Sequence, residues 1–438
     1  MRWVVFLVAG IAFAQETLPL SLKKAVEIAL APEGSPRVAL AEESIRQSQT
    51  GIAQARAAFL PDIEASVTDQ SETVSLKSYG FSFKLPPGLD FAIPTFVGPF
   101  SIFDARATAN QSVFDFSSIR KYQSSKATVE ATKADAETTR NQVSDAVARA
   151  YLACLRADAT VETQRANVDL SDALLKLSNR QKTAGTGLAI EVTRAQVQLA
   201  NDRQNLIVAE NDRRKGVLQL LRAMGLNLDA HIELTDKLAY KPVDVGPMEA
   251  AIEKARKERA ELKAQAKREE IAKLNYGSVK AERMPSVSAF GNYGDIGPAV
   301  VGAVPTRAVG ITLKVPIFDG GRREARRAES LSQLRQEVIR SRDVKQQVEL
   351  DVRLALDSIK SAASQVDTAR EGLALAENEL AQARRRYEGG VANSIEVTDA
   401  QTRLDRARDN QVAALYNYNL ARLDLATATG SIAEYLNQ

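Results

Sequence analysis

From Val348 the apolar positions Val348, Val352, Ala355, Ile359, Ala362, Val366, Ala369, Leu373, Ala376, Leu380, Ala383 and Tyr387 advance strictly by four and three. That rhythm is a heptad seam, and its alternation of large residues with Ala predicts a partner helix at close approach. Val143, Val147, Ala150, Cys154, Ala157, Val161, Val168 and Leu175 set the same register earlier, interrupted by Gln164, Ser171, Ser178 and Lys182. Cys154 therefore falls on the seam and reads as a small buried hydrophobe rather than a reactive thiol. After Gly321 no Pro occurs before the Gly389-Gly390 pair, and Gly372 is the lone Gly. The spacing predicts about 70 residues of unbroken helix, roughly 105 Å, and the same length from Asp115 to Ala184. Beyond Gly185 and Gly187 a return helix of about 35 residues is expected before Gly225, and about 35 more helical residues before Pro285.

A second periodicity, of two, appears in four short stretches. Val309, Ile311, Leu313 and Val315 alternate with Ala308, Gly310, Thr312 and Lys314. Ile63, Ala65 and Val67 alternate with Glu64, Ser66 and Thr68, and Ala105, Ala107 and Ala109 with Arg106, Thr108 and Asn110. Ser286 to Tyr293 alternates less cleanly, because Phe290 falls on the polar side. Strands of about nine or ten residues with one apolar and one polar face suit a membrane barrel with a wet interior. The stretch from Ser71 to Phe100, rich in Pro and aromatic residues, reads as an irregular loop on the outer side of the membrane.

The chain is written twice. Ile190-Glu191-Val192-Thr193-Arg194-Ala195-Gln196 returns as Ile395-Glu396-Val397-Thr398-Asp399-Ala400-Gln401, a shift of 205. Phe114-Asp115 returns as Phe318-Asp319 with a shift of 204, and Leu60-Pro61 as Met284-Pro285 with a shift of 224. A repeat this long is a duplicated half-molecule, not a solenoid unit. We expect a first repeat over 15–230, with a strand hairpin at 61–113, and a linker over 231–247. A second repeat then covers 248–438, with its hairpin at 285–317. Each has the order helix, strand hairpin, long helix, return helix.

Four strands cannot close a membrane barrel, and open edges cannot sit in hydrocarbon, so subunits must pool strands. Residues 1–14, with Arg2, an apolar run and Ala12-Phe13-Ala14, read as a signal peptide. No later run is apolar enough for a spanning helix, so any crossing must use strands. Lys and Arg total 58 against 55 Asp and Glu, a balance unlike a nucleic-acid footprint. With one Cys and one His, His231, a disulfide framework is excluded and no metal site is expected.

The stretch Val315-Pro316-Ile317-Phe318-Asp319-Gly320-Gly321-Arg322-Arg323 resembles the strand-to-helix signature of the TolC family of outer-membrane efflux factors. Arg386-Tyr387-Glu388-Gly389-Gly390-Val391, followed by Ile395-Glu396-Val397-Thr398-Asp399-Ala400, resembles that family's second hairpin tip. The resemblance implies a mainly α fold with a small β part: a homotrimer with a shared 12-stranded transmembrane β-barrel and a long α-helical coiled-coil barrel in the periplasm. It implies a passive exit duct, not an enzyme and without cofactor, for a tripartite efflux or type I secretion system. Partners would be outer-membrane lipid, a periplasmic adaptor (membrane fusion) protein and, through it, an inner-membrane pump.

By the same resemblance Gly185, Gly187 and Leu188 and Gly389, Gly390 and Val391 belong to adaptor-contact tips. Glu396 and Asp399 match an acidic pair at the periplasmic mouth, where three copies would form a cation-favouring ring. The alternative is a pair of helix-start acids, with Asn393 and Glu396 as a capping pair. Glu191 and Tyr387 match a carboxylate and a phenol that tie the hairpins together when shut. Ala392 departs from the family's gate Arg, and Arg194 stands opposite Asp399 in the repeat. The clusters Arg322, Arg323, Arg326, Arg327 and Arg384 to Arg386 read as solvated faces. A periplasmic coiled-coil adaptor and a structural scaffold are the competing readings.

Overall fold

A computed structural model describes residues 18–78, 80 and 96–437. The leader expected at 1–14, and Tyr79, Phe81, Phe83 and Phe91 of the aromatic loop, lie outside the described residues. Along the chain come β1 (Leu18–Leu20), α1 (Leu22–Leu30), α2 (Pro36–Ala57), β2 (Asp62–Ser75), β3 (Phe96–Phe114), α3 (Phe116–Thr183) and α4 (Ala189–Met224). There follow β4 (Ile232–Leu234), α5 (Met248–Glu258), α6 (Ala260–Ala281), β5 (Ser286–Gly297), β6 (Val304–Lys314), α7 (Arg322–Glu388), α8 (Ser394–Thr429) and α9 (Ile432–Tyr435). Element bounds repeat: α2 shifted by 224 coincides with α6, and α4 shifted by 205 coincides with α8. Two compact units cut across the repeats. One comprises Met1–Ile45, Thr132–Ala264 and Ser341–Gln438, the other Arg46–Ala131 and Gln265–Arg340, so α3 and α7 contribute to both.

The second unit holds an antiparallel sheet in the order β2-β3-β5-β6. Its register lines up the four alternations. Ile63, Ala109, Gly291 and Val309 form one row across the sheet, and Ala65, Ala107, Tyr293 and Arg307 the next, on the apolar face. Glu64, Thr108, Asn292 and Ala308 share the opposite face. Phe290 does project among the polar positions, and its partner there is Gly310, where a Cβ would meet the Phe290 ring at 2.6 Å. The missing side chain makes room for the misplaced aromatic.

The strands are longer than the alternation predicts, at 14, 19, 12 and 11 residues. β2 and β3 continue into the stretch predicted as loop. Ser71 pairs with Ser101 and Glu72 with Phe100, and a register shift between Glu72 and Val74 absorbs the Gly98-Pro99 step. A bulge accommodates a proline that cannot donate to the ladder, so polar strand ends persist without apolar alternation. Below the sheet, Ser117 and Ser278 meet in a buried 3.0 Å contact, and Ser124 donates to Asn275 at 2.8 Å.

In the first unit the α7 seam is buried as predicted: of the twelve positions only Ala369 and Leu373 are half-buried. In α3 it holds through Val161, with Ala150 and Ala157 half-buried; beyond that the seam positions Ser171 and Ser178 stay buried, but Asn167 and Leu174 are buried in place of Val168 and Leu175. Cys154 is buried, its Sγ 3.5 Å from where a Cβ on Gly216 would stand, and burial pushes its thiol up to about 12. Two short strands escape the sequence reading: β1 and β4 pair in parallel, Leu18 to Ile232 through Leu20 to Leu234. They cover a core of Val26, Val147, Tyr151, Leu220 and Met224. The rest of the 231–247 segment packs on α8, where Tyr418 donates to the Lys241 carbonyl at 2.8 Å and Asn419 to that of Ala239 at 3.1 Å.

Candidate functional site: the hairpin tips

Both long helices end in the same way. The Gly185 N–H bonds the Lys182 carbonyl at 3.1 Å and the Thr186 N–H that of Gln181 at 3.0 Å. The Gly390 N–H bonds Tyr387 at 3.1 Å and the Val391 N–H bonds Arg386 at 3.0 Å. These are Schellman closures, which need a left-handed residue, and Gly185 and Gly390 have φ of +78° and +71°. Gly187 is held close, since a Cβ there would lie 2.9 Å from the Gln181 side chain. The tight turns leave Leu188 and Val391 at 67% and 71% exposure, apolar points at the two ends.

The return helices start differently. Asn393 caps α8, accepting the Ile395 and Glu396 N–H groups at 3.1 and 3.3 Å. The carboxylate of Glu396 does not return to Asn393 but meets Arg386 Nε at 3.1 Å, so the expected capping pair is half formed. In the first hairpin Glu191 does reach back, accepting the Leu188 N–H at 3.2 Å. Its other oxygen accepts the Ser394 N–H, at 3.4 Å, from the second hairpin.

Tyr387 is the other bridge. Its buried hydroxyl lies 3.3 Å from Ser178 Oγ, and Gln181 donates to its carbonyl at 3.4 Å. Burial pushes the phenol pKa up, opposed by the Ser178 bond and reinforced by the charge of Glu191. Leu174, Leu380, Val397 and Leu404 close an apolar layer against it.

Glu396 and Asp399 are not gathered at one point. Glu396 turns toward α7 and Arg386, whereas Asp399 is exposed on a groove of about 300 Å³ between α4 and α8. Arg194 lines that groove as well, with Val197 and Ile395, and forms no ion pair with Asp399.

A buried polar layer deeper in the hairpins escaped the sequence reading. Ser171 donates to Asp202, Gln401 Nε2 donates to Ser171 Oγ at 2.5 Å, and Gln198 donates to the other Asp202 oxygen at 3.0 Å. Burial raises the pKa of Asp202, and burial together with the charge of Asp202 lifts Asp405 to about 6. The available signal was the polar interruption of the α3 seam at Ser171.

In the other unit the Phe-Asp junction has a mechanical role. Asp115 caps α3, accepting the Ser117 and Ser118 N–H groups at 2.9 and 3.2 Å. Asp319 accepts the Arg323 N–H at 3.2 Å and pairs with its guanidinium at 3.0 Å, while Gly320 and Gly321 turn the chain at φ of +71° and +85°. Phe318 is exposed on the approach. The arginines here are paired rather than simply solvated, Arg326 with Glu282 at 2.6 Å and Arg327 with Glu324 at 3.7 Å.

The chain thus carries duplicated helical hairpins tied at their tips and an antiparallel sheet with one apolar face. The chain belongs to the outer membrane efflux protein family, whose profile matches residues 28–226 and 251–431. Outer membrane protein TolC of Vibrio cholerae is 25% identical over 300 residues, 66% of this chain and 67% of that protein. The pyoverdine export outer membrane protein OpmQ of Pseudomonas aeruginosa is 24% identical over 387 residues, 86% of this chain and 78% of its own. Among solved structures, VceC of Vibrio cholerae superposes with a TM-score of 0.76 at 20% identity, covering 93% of this chain and 96% of that one. CmeC of Campylobacter jejuni gives 0.79 at 15% identity, covering 95% and 88%. The protein is an outer-membrane efflux channel of the kind that serves tripartite systems, with a large periplasmic helical part, and not an enzyme. The adaptor and scaffold readings fall with that assignment.

Proposed function

We propose that three copies pool their sheets into a 12-stranded barrel and that the hairpin tips form a closable periplasmic mouth. The supporting observation is the double tie between hairpins, Tyr387 to Ser178 and Glu191 to the Ser394 N–H. The ties are a few hydrogen bonds, the Gln181 bond to the Tyr387 carbonyl included, each of modest net strength at roughly 1 kcal/mol, which suits a latch that a partner can open. The exposed Leu188 and Val391 are the apolar points a periplasmic adaptor would engage, and through it an inner-membrane pump. The cargo is a solute passing through, and the acids at the mouth select among ions.

Planar-bilayer conductance tests this. The closed channel should conduct poorly, prefer cations and be blocked by multivalent cations from the periplasmic side. Asp399→Ala should relieve more of the block than Glu396→Ala, because Arg386 already offsets Glu396. The double variant should relieve most of it. Block that survives in the double variant places the ring elsewhere and makes these two acids helix-start residues.

A further inference from the structure

A groove of about 830 Å³ lies between the start of α3 and the end of α6, just below the sheet. Its apolar lining is Phe116, Leu274 and Met284, and its cationic lining is Arg120, Lys273 and Lys280. Lys273 and Lys280 stand seven apart, two turns along one helix face. Neither has an ion-pair partner among the described residues, and both are exposed. Among the described residues Arg120 is engaged only by neutral Gln123, at 2.9 Å. The one acid in the lining, Glu270, sits at the far end and is held by Lys267 at 2.9 Å. Tyr276 also lines the groove, and a hydrogen bond from Arg327 with the nearby charges of Lys280 and Arg335 pulls its phenol pKa down. The local potential is positive.

The side of the sheet on which this groove opens is set by two aromatic rings. Phe114 pairs with Val287 and Val287 with Leu313, which places Phe114 on the apolar face. Phe116 packs edge-on against Phe114 with ring centroids 5.0 Å apart. The groove therefore continues the apolar face directly past the ends of the strands, changing from apolar to cationic as it leaves them. Phe116 and Met284 keep 37% and 45% of their surface exposed there.

We propose that this groove is a binding site for an anionic phospholipid of the inner leaflet, its phosphate between Lys273 and Lys280 and its acyl chains against Phe116 and Met284. The assignment rests on the reading of the apolar sheet face as the lipid-facing one. A free anion would have no use for the apolar lining, and a neutral lipid none for three cations without acidic partners. Juxtamembrane lysines near an anionic lipid surface contribute roughly a fivefold change in affinity each.

Native mass spectrometry of the purified full-length protein, titrated with phosphatidylglycerol or phosphatidylcholine of the same chains, tests the site. Phosphatidylglycerol should be retained in preference to phosphatidylcholine. Lys273→Gln/Lys280→Gln should weaken that retention by about 20- to 30-fold, while Lys273→Arg/Lys280→Arg keeps it and the equal charge change Lys176→Gln/Lys215→Gln leaves it alone. Millimolar inorganic phosphate should not displace the lipid. Equal retention of the two lipids, full retention in the glutamine variant, or displacement by phosphate would each overturn the proposal. Insertion into vesicles separates the two levels of the argument. A protein that never inserts refutes the lipid-facing sheet, whereas a glutamine variant that inserts normally yet retains phosphatidylglycerol refutes only this site.

Discussion

At the residue scale the least ordinary group is Asp405. It lies on α8 one turn from Gln401, with one carboxylate oxygen enclosed and without a hydrogen-bond partner. Burial lifts its pKa to about 6, the charges of Asp202 and Asp409 add to the shift, and Arg408 opposes it. An acid whose folded pKa exceeds its unfolded value holds its proton longer in the folded state. Stability is then greatest below the unfolded value near 4 and falls as pH rises toward 6. Asp405→Asn removes the charge without changing the shape. It should stabilise the protein at pH 7.5 by roughly 1 kcal/mol, a figure reduced for the partial exposure of the site, and change little at pH 4. Thermal unfolding of both proteins at the two pH values checks this, and an equal shift at both would show that the charge of Asp405 costs nothing. Asp202, Ser171 and Gln401 are buried and Gln198 half-buried, so a polar layer set within the apolar seam helps hold the register between hairpins.

At the scale of elements the two glycines of one turn should behave oppositely. Gly390 has φ +71°, where a Cβ is strained, while a Cβ on Gly389 would meet the Arg385 and Arg386 carbonyls at an ordinary 3.4 and 3.8 Å. Gly390→Ala should loosen the tip by about 1 kcal/mol, and Gly389→Ala should leave it unchanged or tighten it by a few tenths. Amide exchange at the ends of α7 and α8 reads this locally, and equal loosening by both would show that the turn does not depend on the left-handed residue. The turns, the helix lengths and the α7 seam were legible in the sequence because each is a local pattern: absent Pro, paired Gly, apolar steps of four and three. The α3 seam beyond Val161 was not, since Asn167, Ser171 and Ser178 are polar and take partners in Arg408, Gln401 and Tyr387, each more than 200 positions away, with Asp202 as a second partner of Ser171. The tie from Glu191 to Ser394 was hidden for a related reason: its acceptor is named by the sequence, but its donor is a backbone N–H. Three-residue strands such as β1 and β4 are too short for any periodicity to announce.

At the scale of the whole molecule, assembly depends on which face of the sheet meets lipid. β2 and β6 are the outer strands of the four, and each leaves one row of N–H and C=O groups without a partner strand among the described residues. Such edges are tolerable in hydrocarbon only if a neighbouring copy pairs with them, edge to edge, until the sheet closes. Closure then puts one face on lipid and the other on water. Ile311 and Thr312 are adjacent in β6, and alternation sends them to opposite faces: Ile311 with Ala289 on the apolar one, Thr312 with Ser288 on the polar one. Ile311 is 77% exposed in the single chain, a waste of apolar surface unless lipid covers it. A cation facing the bilayer midplane costs about 2–4 kcal/mol per copy, whereas one facing a wet lumen costs little. Ile311→Arg should therefore abolish the heat-labile oligomer on unboiled gels and the recovery of protein in outer-membrane fractions. Thr312→Arg should assemble normally, run as three chains by mass in detergent, and shift the channel's ion preference toward anions. Should the two variants assemble equally well, or should Thr312→Arg be the one that fails, the sheet faces are assigned the wrong way round and the pooled barrel must be rebuilt from that result.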